Sequence, residues 1–148
     1  MFINGPNLNL LGTREPDVYG DMSLEHIENE VRRAASQLDV GMEWFQSNHE
    51  GDIVEKIHSC WEDWDGIVLN PAAFSHTSVA VLDALRAVKK PCVEVHLSNI
   101  HAREEFRRAS LTASACRAVI SGMGWLGYLY ALKFLYAICG VKSEKEKQ

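Results

Sequence analysis

The amino-acid sequence predicts an α/β fold built on a five-stranded parallel sheet. Short apolar runs alternate with helically spaced apolar stripes along the chain, as expected for strands buried on both faces and wrapped by helices. The length of 148 residues suits one core rather than two. Each of the first four runs also ends in amides, hydroxyls or imidazoles, where ligands meet the carboxyl ends of parallel strands.

Met1 to Ile3 is the first candidate strand, followed by a stripe of Leu24, Ile27, Val31, Ala34, Ala35 and Leu38 at helical spacing. Met42 to Gln46 is the second, followed by Ile53, Val54, Ile57, Cys60 and Trp61. Gly66 to Leu69 is the third, and Ala80, Val81, Ala84, Leu85 and Val88 make the next stripe. Cys92 to His96 and Ala118 to Ser121 complete the strand set. Ser23, Asp52, and Ser78 or Thr77 stand where helices need N-caps. A last helix, about Trp125 to Cys139, is apolar nearly all round, so the sheet or another subunit should cover it. Five strands in this order predict a flavodoxin-like three-layer sandwich over residues 1–141, with 142–148 as a solvated tail of alternating lysine and glutamate.

A formal charge of −5, with 47% apolar and 24% charged residues, describes a globular protein without the basic excess that nonspecific nucleic-acid binding needs. No stretch approaches the roughly 20 apolar residues that cross a bilayer, so neither nucleic acid nor membrane is an expected partner. Cys60, Cys92, Cys116 and Cys139 form no CxxC pair and no zinc-site spacing, and they read as reduced packing residues. The first six residues lack the basic region and apolar run of a secretory signal, which predicts a cytoplasmic location.

The strand ends hold the candidate chemistry. They are Asn4-Gly5-Pro6-Asn7-Leu8-Asn9, Gln46-Ser47-Asn48-His49-Glu50, Asn70 through Ser78, and Glu94 through Asn99. Such groups converging on one sheet edge suit a small ligand rich in oxygen. Glu94 and His96, two apart on a strand, point to one face, and a carboxylate beside an imidazole fixes its tautomer and makes it a general acid. A surface ion pair is the competing reading, but an acid inside Cys92-Val93-Glu94-Val95 needs a partner.

Arg14 and Tyr19 lie in the long segment from Leu8 to Met22, where a guanidinium beside a phenol favours phenolate. Taken alone, the pair reads as an ordinary loop cation and a half-buried tyrosine. Arg103, Arg107 and Arg108 fit a solvated turn or a contact with a ligand carboxylate or hydroxyl. Asp83 falls opposite the apolar stripe of its helix and faces solvent or a neighbouring subunit. His49 and His58 read as surface or capping residues. Gly122-Met123-Gly124-Trp125-Leu126-Gly127 superficially matches a dinucleotide fingerprint, but no strand with an acidic residue follows, which favours tight packing of a strand-to-helix turn.

Five separated blocks, NGPNLNLLGTREPDVYG, QSNHEGDIVEKIH, LNPAAFSHTSVAVLDAL, VEVHLSNIHAREEFRRAS and GMGWLGYLYAL, occur in the order of the type II 3-dehydroquinate dehydratase family. The chain resembles that family from Asn4 to about Leu135. The resemblance implies a flavodoxin-like subunit, trimers assembled into a homododecamer, and dehydration of 3-dehydroquinate to 3-dehydroshikimate without cofactor or metal. It implies Tyr19 as the base at C2, Arg14 as the group favouring its phenolate, and Asn7, through an ordered water, as the stabiliser of the enolate oxygen. His96, oriented by Glu94, protonates the departing C1 hydroxyl in this scheme. Asn70 and the Leu97 and Ser98 backbone amides hold the carboxylate, His76 and Arg107 meet the ring hydroxyls, Asp83 enters from an adjacent subunit, and Arg103 supports a closed lid.

The chain departs from the family where Ala72 replaces a usual glycine, and a methyl there crowds the backbone near the carboxylate. An aromatic or leucine followed by threonine is frequent where Phe74 and Ser75 stand, Leu82 replaces a frequent arginine, and Met1-Phe2-Ile3 makes a short central strand. Lys56, Lys89, Lys90 and Lys133 lie outside the polar strand ends, so a Schiff base is not expected. The same step serves aromatic biosynthesis and quinate breakdown. The alternative function is a noncatalytic flavodoxin-like binding module, but a phosphorylated receiver would want an acid at Asn70, and a flavodoxin a hydroxyl-rich phosphate loop after the first strand.

Overall fold

The computed structural model describes residues 1–12 and 22–145, with side chains through Gly140. Five parallel strands, β1 (Phe2–Asn4), β2 (Trp44–Gln46), β3 (Ile67–Asn70), β4 (Cys92–His96) and β5 (Ala118–Ser121), form one sheet in the order β2-β1-β3-β4-β5. Three strands start one or two residues later than their apolar runs suggest, and β1 and β3 each end one residue later, on Asn4 and Asn70. Polar residues therefore close both ladders, with Asn4 opposite Asn70.

The helices are α1 (Leu24–Gln37), α2 (Glu50–His58), α3 (Cys60–Asp63), α4 (Phe74–Thr77), α5 (Val79–Val88) and α6 (Leu126–Lys145). Strand alternation builds the two sides of the core. Phe2, Val68, Val93 and Val95 pack with Ile27 and Val31 of α1 and with Tyr128, Ala131 and Leu132 of α6. Ile3, Ile67, Leu69 and Cys92 pack on the other face with Ile53 and Ile57 of α2 and with Val81, Ala84, Leu85 and Val88 of α5. The result is the three-layer sandwich that the alternation of runs and stripes predicts.

Several local expectations are corrected. Ser23 caps α1 by accepting from the His26 amide, and Ser78 caps α5 by accepting from the Val81 amide. Asp52 is no cap, because α2 starts before it. Its carboxylate accepts instead from Ser47 Oγ at 2.7 Å, and that hydroxyl accepts from the His49 amide. The helix breaks at Ser59 and restarts, and of the two apolar residues that follow, Cys60 is buried in the core whereas Trp61 is exposed. Ala80, in the first turn of α5, is also exposed. The last helix runs to Lys145, beyond the expected Cys139. Its Leu126, Tyr130, Phe134 and Tyr136 are exposed in the single chain.

The glycine turn after β5 is explained by close approach. Gly122 has φ +86°, and a Cβ on Gly127 would lie 3.0 Å from Val95 Cγ1, so the residue seats α6 against the sheet. Ala72 occupies the left-handed region at φ 49°, a backbone state that glycine adopts without the steric penalty of a Cβ. The methyl therefore strains the turn itself. The four cysteines form no disulfide, and no helix among the described residues is long and apolar enough to cross a membrane.

Candidate active site

In a sheet of this order the connections reverse direction between β1 and β3, so the loops leaving these strands part and open a crevice. A cavity of about 220 Å³ lies there, lined by Asn7, Asn70, His76, His96, Leu97, Ser98, Arg103, Glu104 and Arg107 among others. Eight of the twelve expected site residues thus line one space. Glu94 lies directly behind it. Asp83 is exposed on α5 and does not line the cavity of its own chain. Arg14 and Tyr19 fall outside the described residues.

The floor is held by backbone and amide contacts. The Gly5 amide donates to the Asn70 carbonyl at 2.8 Å, which ties the end of β1 to that of β3. Asn7 takes a left-handed conformation, and its amide donates to Asn48 Oδ1 at 2.9 Å. That oxygen also accepts from Gln46 Nε2 at 3.1 Å. Asn48 and Gln46 thus fix the turn that carries Asn7. On the far side, the Leu97 carbonyl accepts from the Gly124 amide at 3.0 Å and the Ser98 carbonyl from Ser121 Oγ at 3.2 Å. His76 directs Nδ1 to the Ala109 carbonyl at 2.7 Å.

Glu94 is 0% exposed, and its carboxylate is saturated with donors. Oε1 accepts from His96 Nε2 and Ser110 Oγ, both at 2.6 Å, and Oε2 accepts from Thr112 Oγ1 at 2.5 Å. Burial alone pushes its pKa up, but the hydrogen bonds from His96, Ser110 and Thr112 outweigh that and hold it below the usual 4.5. An ionised Glu94 fixes the proton of a neutral His96 on Nε2, so Nδ1 is the atom that remains for chemistry. Ser110 and Thr112 are site residues that the sequence alone does not reveal. The clue is the need of a buried acid for partners, which a search confined to its own strand meets only with His96.

The depressed pKa has a stability consequence with a definite sign. The native state binds fewer protons at Glu94 than the unfolded chain does, so its contribution to stability is present above about pH 4.5 and is lost as pH falls below it. Glu94→Gln removes that contribution. The gap in unfolding free energy between wild type and Glu94→Gln should therefore narrow between about pH 6 and pH 3 in denaturant titrations. A gap independent of pH would contradict this account of the buried carboxylate.

Two guanidinium groups supply positive charge above the floor. Glu104 Oε2 lies 3.6 Å from Arg103 Nε and 3.2 Å from Arg107 Nε. The second approach is poorly aligned, so Arg107 Nε is buried without a hydrogen-bond partner among the described residues. A buried donor of this kind carries an unmet demand for an acceptor. The cavity thus pairs an imidazole backed by a buried carboxylate with amide and guanidinium donors, a set suited to a small oxyanion.

A family model described as dehydroquinase class II matches residues 1–136. The chain belongs to the class II dehydroquinase family. A relative named 3-dehydroquinate dehydratase, from Clostridium botulinum (strain Hall), is 51% identical over 135 residues, covering 91% of this chain and 92% of the relative. Another of that name, from Aliarcobacter butzleri, is 57% identical over 126 residues, with 85% and 77% covered. The crystal structure of a type II dehydroquinase from Butyrivibrio crossotus superposes with a TM-score of 0.89 at 43% identity, over 90% of this chain and 94% of that one. Class II dehydroquinase membership accords with the five-stranded parallel sheet in the order β2-β1-β3-β4-β5.

Proposed function

We propose that this chain is a type II 3-dehydroquinate dehydratase, a hydro-lyase whose catalytic domain spans residues 1–141. The observation that carries this reading is His96, held by the buried, fully hydrogen-bonded Glu94 at the wall of a cavity that Asn7, Asn70 and Arg107 also line. A proton donor therefore stands among groups suited to an anionic, hydroxyl-rich ligand.

The reaction is an anti elimination through an enolate. Tyr19, as phenolate favoured by Arg14, takes the C2 proton, and the electron pair moves into the C2–C3 bond and onto the ketone oxygen. Asn7 stabilises that oxygen through a water, where charge appears only as the proton leaves. The enolate then collapses to form the C1–C2 double bond as the C1–oxygen bond breaks. His96, as imidazolium, protonates the departing hydroxyl, which leaves as water. The substrate carboxylate sits on Asn70 and the Leu97 and Ser98 amides, and the ring hydroxyls meet His76 and Arg107. Arg103 supports the closed lid.

No lysine stands among the described lining residues, and Lys56 is engaged by Glu43, which favours an enolate over a Schiff base. Asp83 is exposed on α5, as a residue offered to an adjacent subunit must be. We assign that subunit to a trimer within a homododecamer in the cytoplasm, with the exposed apolar face of α6 available for contacts.

Purified protein given 3-dehydroquinate in chelator-treated buffer should develop the ultraviolet absorbance of a conjugated enone. Borohydride added with substrate should leave activity intact. A folded oligomer that binds the substrate without turnover would replace the enzyme reading with a binding module. Covalent trapping on a lysine would overturn the enolate route.

A further inference from the structure

Tyr128 is an aromatic residue inside an apolar helix, yet its hydroxyl does not point to solvent. The side chain is 0% exposed, and its oxygen lies 2.6 Å from Asn4 Oδ1 and 2.9 Å from Asn70 Nδ2. Both asparagines are buried at the ends of neighbouring strands, and Asn70 borders the cavity.

The backbone at the two ends of this chain of contacts dictates its direction. The Phe45 carbonyl can only accept, so Asn4 presents Nδ2 to it at 3.1 Å and Oδ1 to Tyr128. The phenol must give its one proton to that Oδ1. Its oxygen is then an acceptor, and Asn70 must present Nδ2 to it. At the other end the Ala72 amide can only donate, at 3.2 Å, and so requires Asn70 Oδ1. Two independent constraints thus select one orientation of the Asn70 carboxamide. A flipped carboxamide would set an amide donor against the Ala72 N–H and an oxygen against the committed phenol oxygen. In the observed orientation one hydrogen of Asn70 Nδ2 has no partner among the described residues.

We propose that Tyr128 is a positioning residue that, with Asn4, locks the Asn70 carboxamide so that it offers an N–H donor, and never its oxygen, to a carboxylate in the cavity. The proposal rests on Asn70 holding the substrate carboxylate under the function proposed above. An amide oxygen turned toward a carboxylate would repel it, so the lock acts on binding rather than on the bonds that break. Burial raises the phenol pKa, so the hydroxyl keeps its proton and the direction of the chain does not reverse with pH.

Steady-state kinetics of Tyr128→Phe, Asn70→Ala and the double variant test this through a double-mutant cycle. Tyr128→Phe should raise KM about tenfold and leave kcat within about twofold. In the Asn70→Ala background the same change should leave KM unmoved, because the residue through which Tyr128 acts is gone. Asn4→Ala releases the phenol from its obligate acceptor without touching Tyr128 or Asn70, and it should reproduce the rise in KM even if Tyr128→Phe folds poorly. An unchanged KM in an active Tyr128→Phe, or effects that simply multiply in the double variant, overturns the lock while leaving the dehydratase reading in place. A wild-type protein without dehydratase activity overturns both.

Discussion

His96→Gln is expected to lower kcat for dehydration by about 10²- to 10⁴-fold, the range for loss of a positioned general acid. Glutamine is close in reach to histidine, and its Nε2 can still donate to Glu94. The carboxylate therefore keeps an approximation of the His96 bond and retains its contacts with Ser110 and Thr112. The amide, however, has no proton to release at neutral pH. The predicted loss is thus chemical, with an unfolding midpoint close to that of wild type. Because removal of the C2 proton is assigned to Tyr19, the variant should still exchange that hydrogen for deuterium from solvent while water elimination stalls. Proton NMR of the substrate in heavy water separates the two steps. A kcat within about threefold of wild type would remove His96 as the acid. Loss of exchange together with elimination would show instead that the substitution had disturbed the whole site.

The sheet was legible because its strands are short apolar runs that end in polar clusters, a pattern that burial on both faces imposes. Glu94 and His96 were legible for the same reason, since a period of two puts them on one face. Ser110 and Thr112 were not, because they reach Glu94 from 16 and 18 residues away through a turn that no local propensity announces. Tyr128 lies within the apolar pattern of the last helix, and only the positions of Asn4 and Asn70 across the sheet turn it into a polar contact. Asp52 illustrates the converse. It is a suitable cap by residue type, but Ser47 captured it once α2 began at Glu50. Ala72 was visible as a departure from a family glycine, whereas the left-handed turn that makes glycine usual there emerged with the backbone. The resemblance supplied the roles of Tyr19 and Arg14, which the residues alone left open.

Gly5→Ala should be the most damaging small substitution at this sheet edge. A Cβ at Gly5 would lie 2.4 Å from the Pro71 carbonyl oxygen and 2.7 Å from its carbon. Both atoms are backbone, so no side chain can turn aside, and the ends of β1 and β3 must separate instead. Separation stretches the 2.8 Å bond from the Gly5 amide to the Asn70 carbonyl. It also moves Asn7 and Asn70, which flank the cavity from these same two strand ends. Overpacking of this kind costs about 1–3 kcal/mol, and a lost buried hydrogen bond adds about 1 kcal/mol. The expected destabilisation is on the order of 3 kcal/mol, with kcat/KM falling even where the protein remains folded. Gly51→Ala is the matched control, since nothing lies within 4 Å of its added Cβ and it sits inside α2, where alanine is the better helix former. Urea titrations should therefore place Gly5→Ala well below wild type and Gly51→Ala level with it or above. Equal midpoints for Gly5→Ala and wild type would mean that the two strand ends can part without loss, and the tie between β1 and β3 would no longer explain how the cavity keeps its shape.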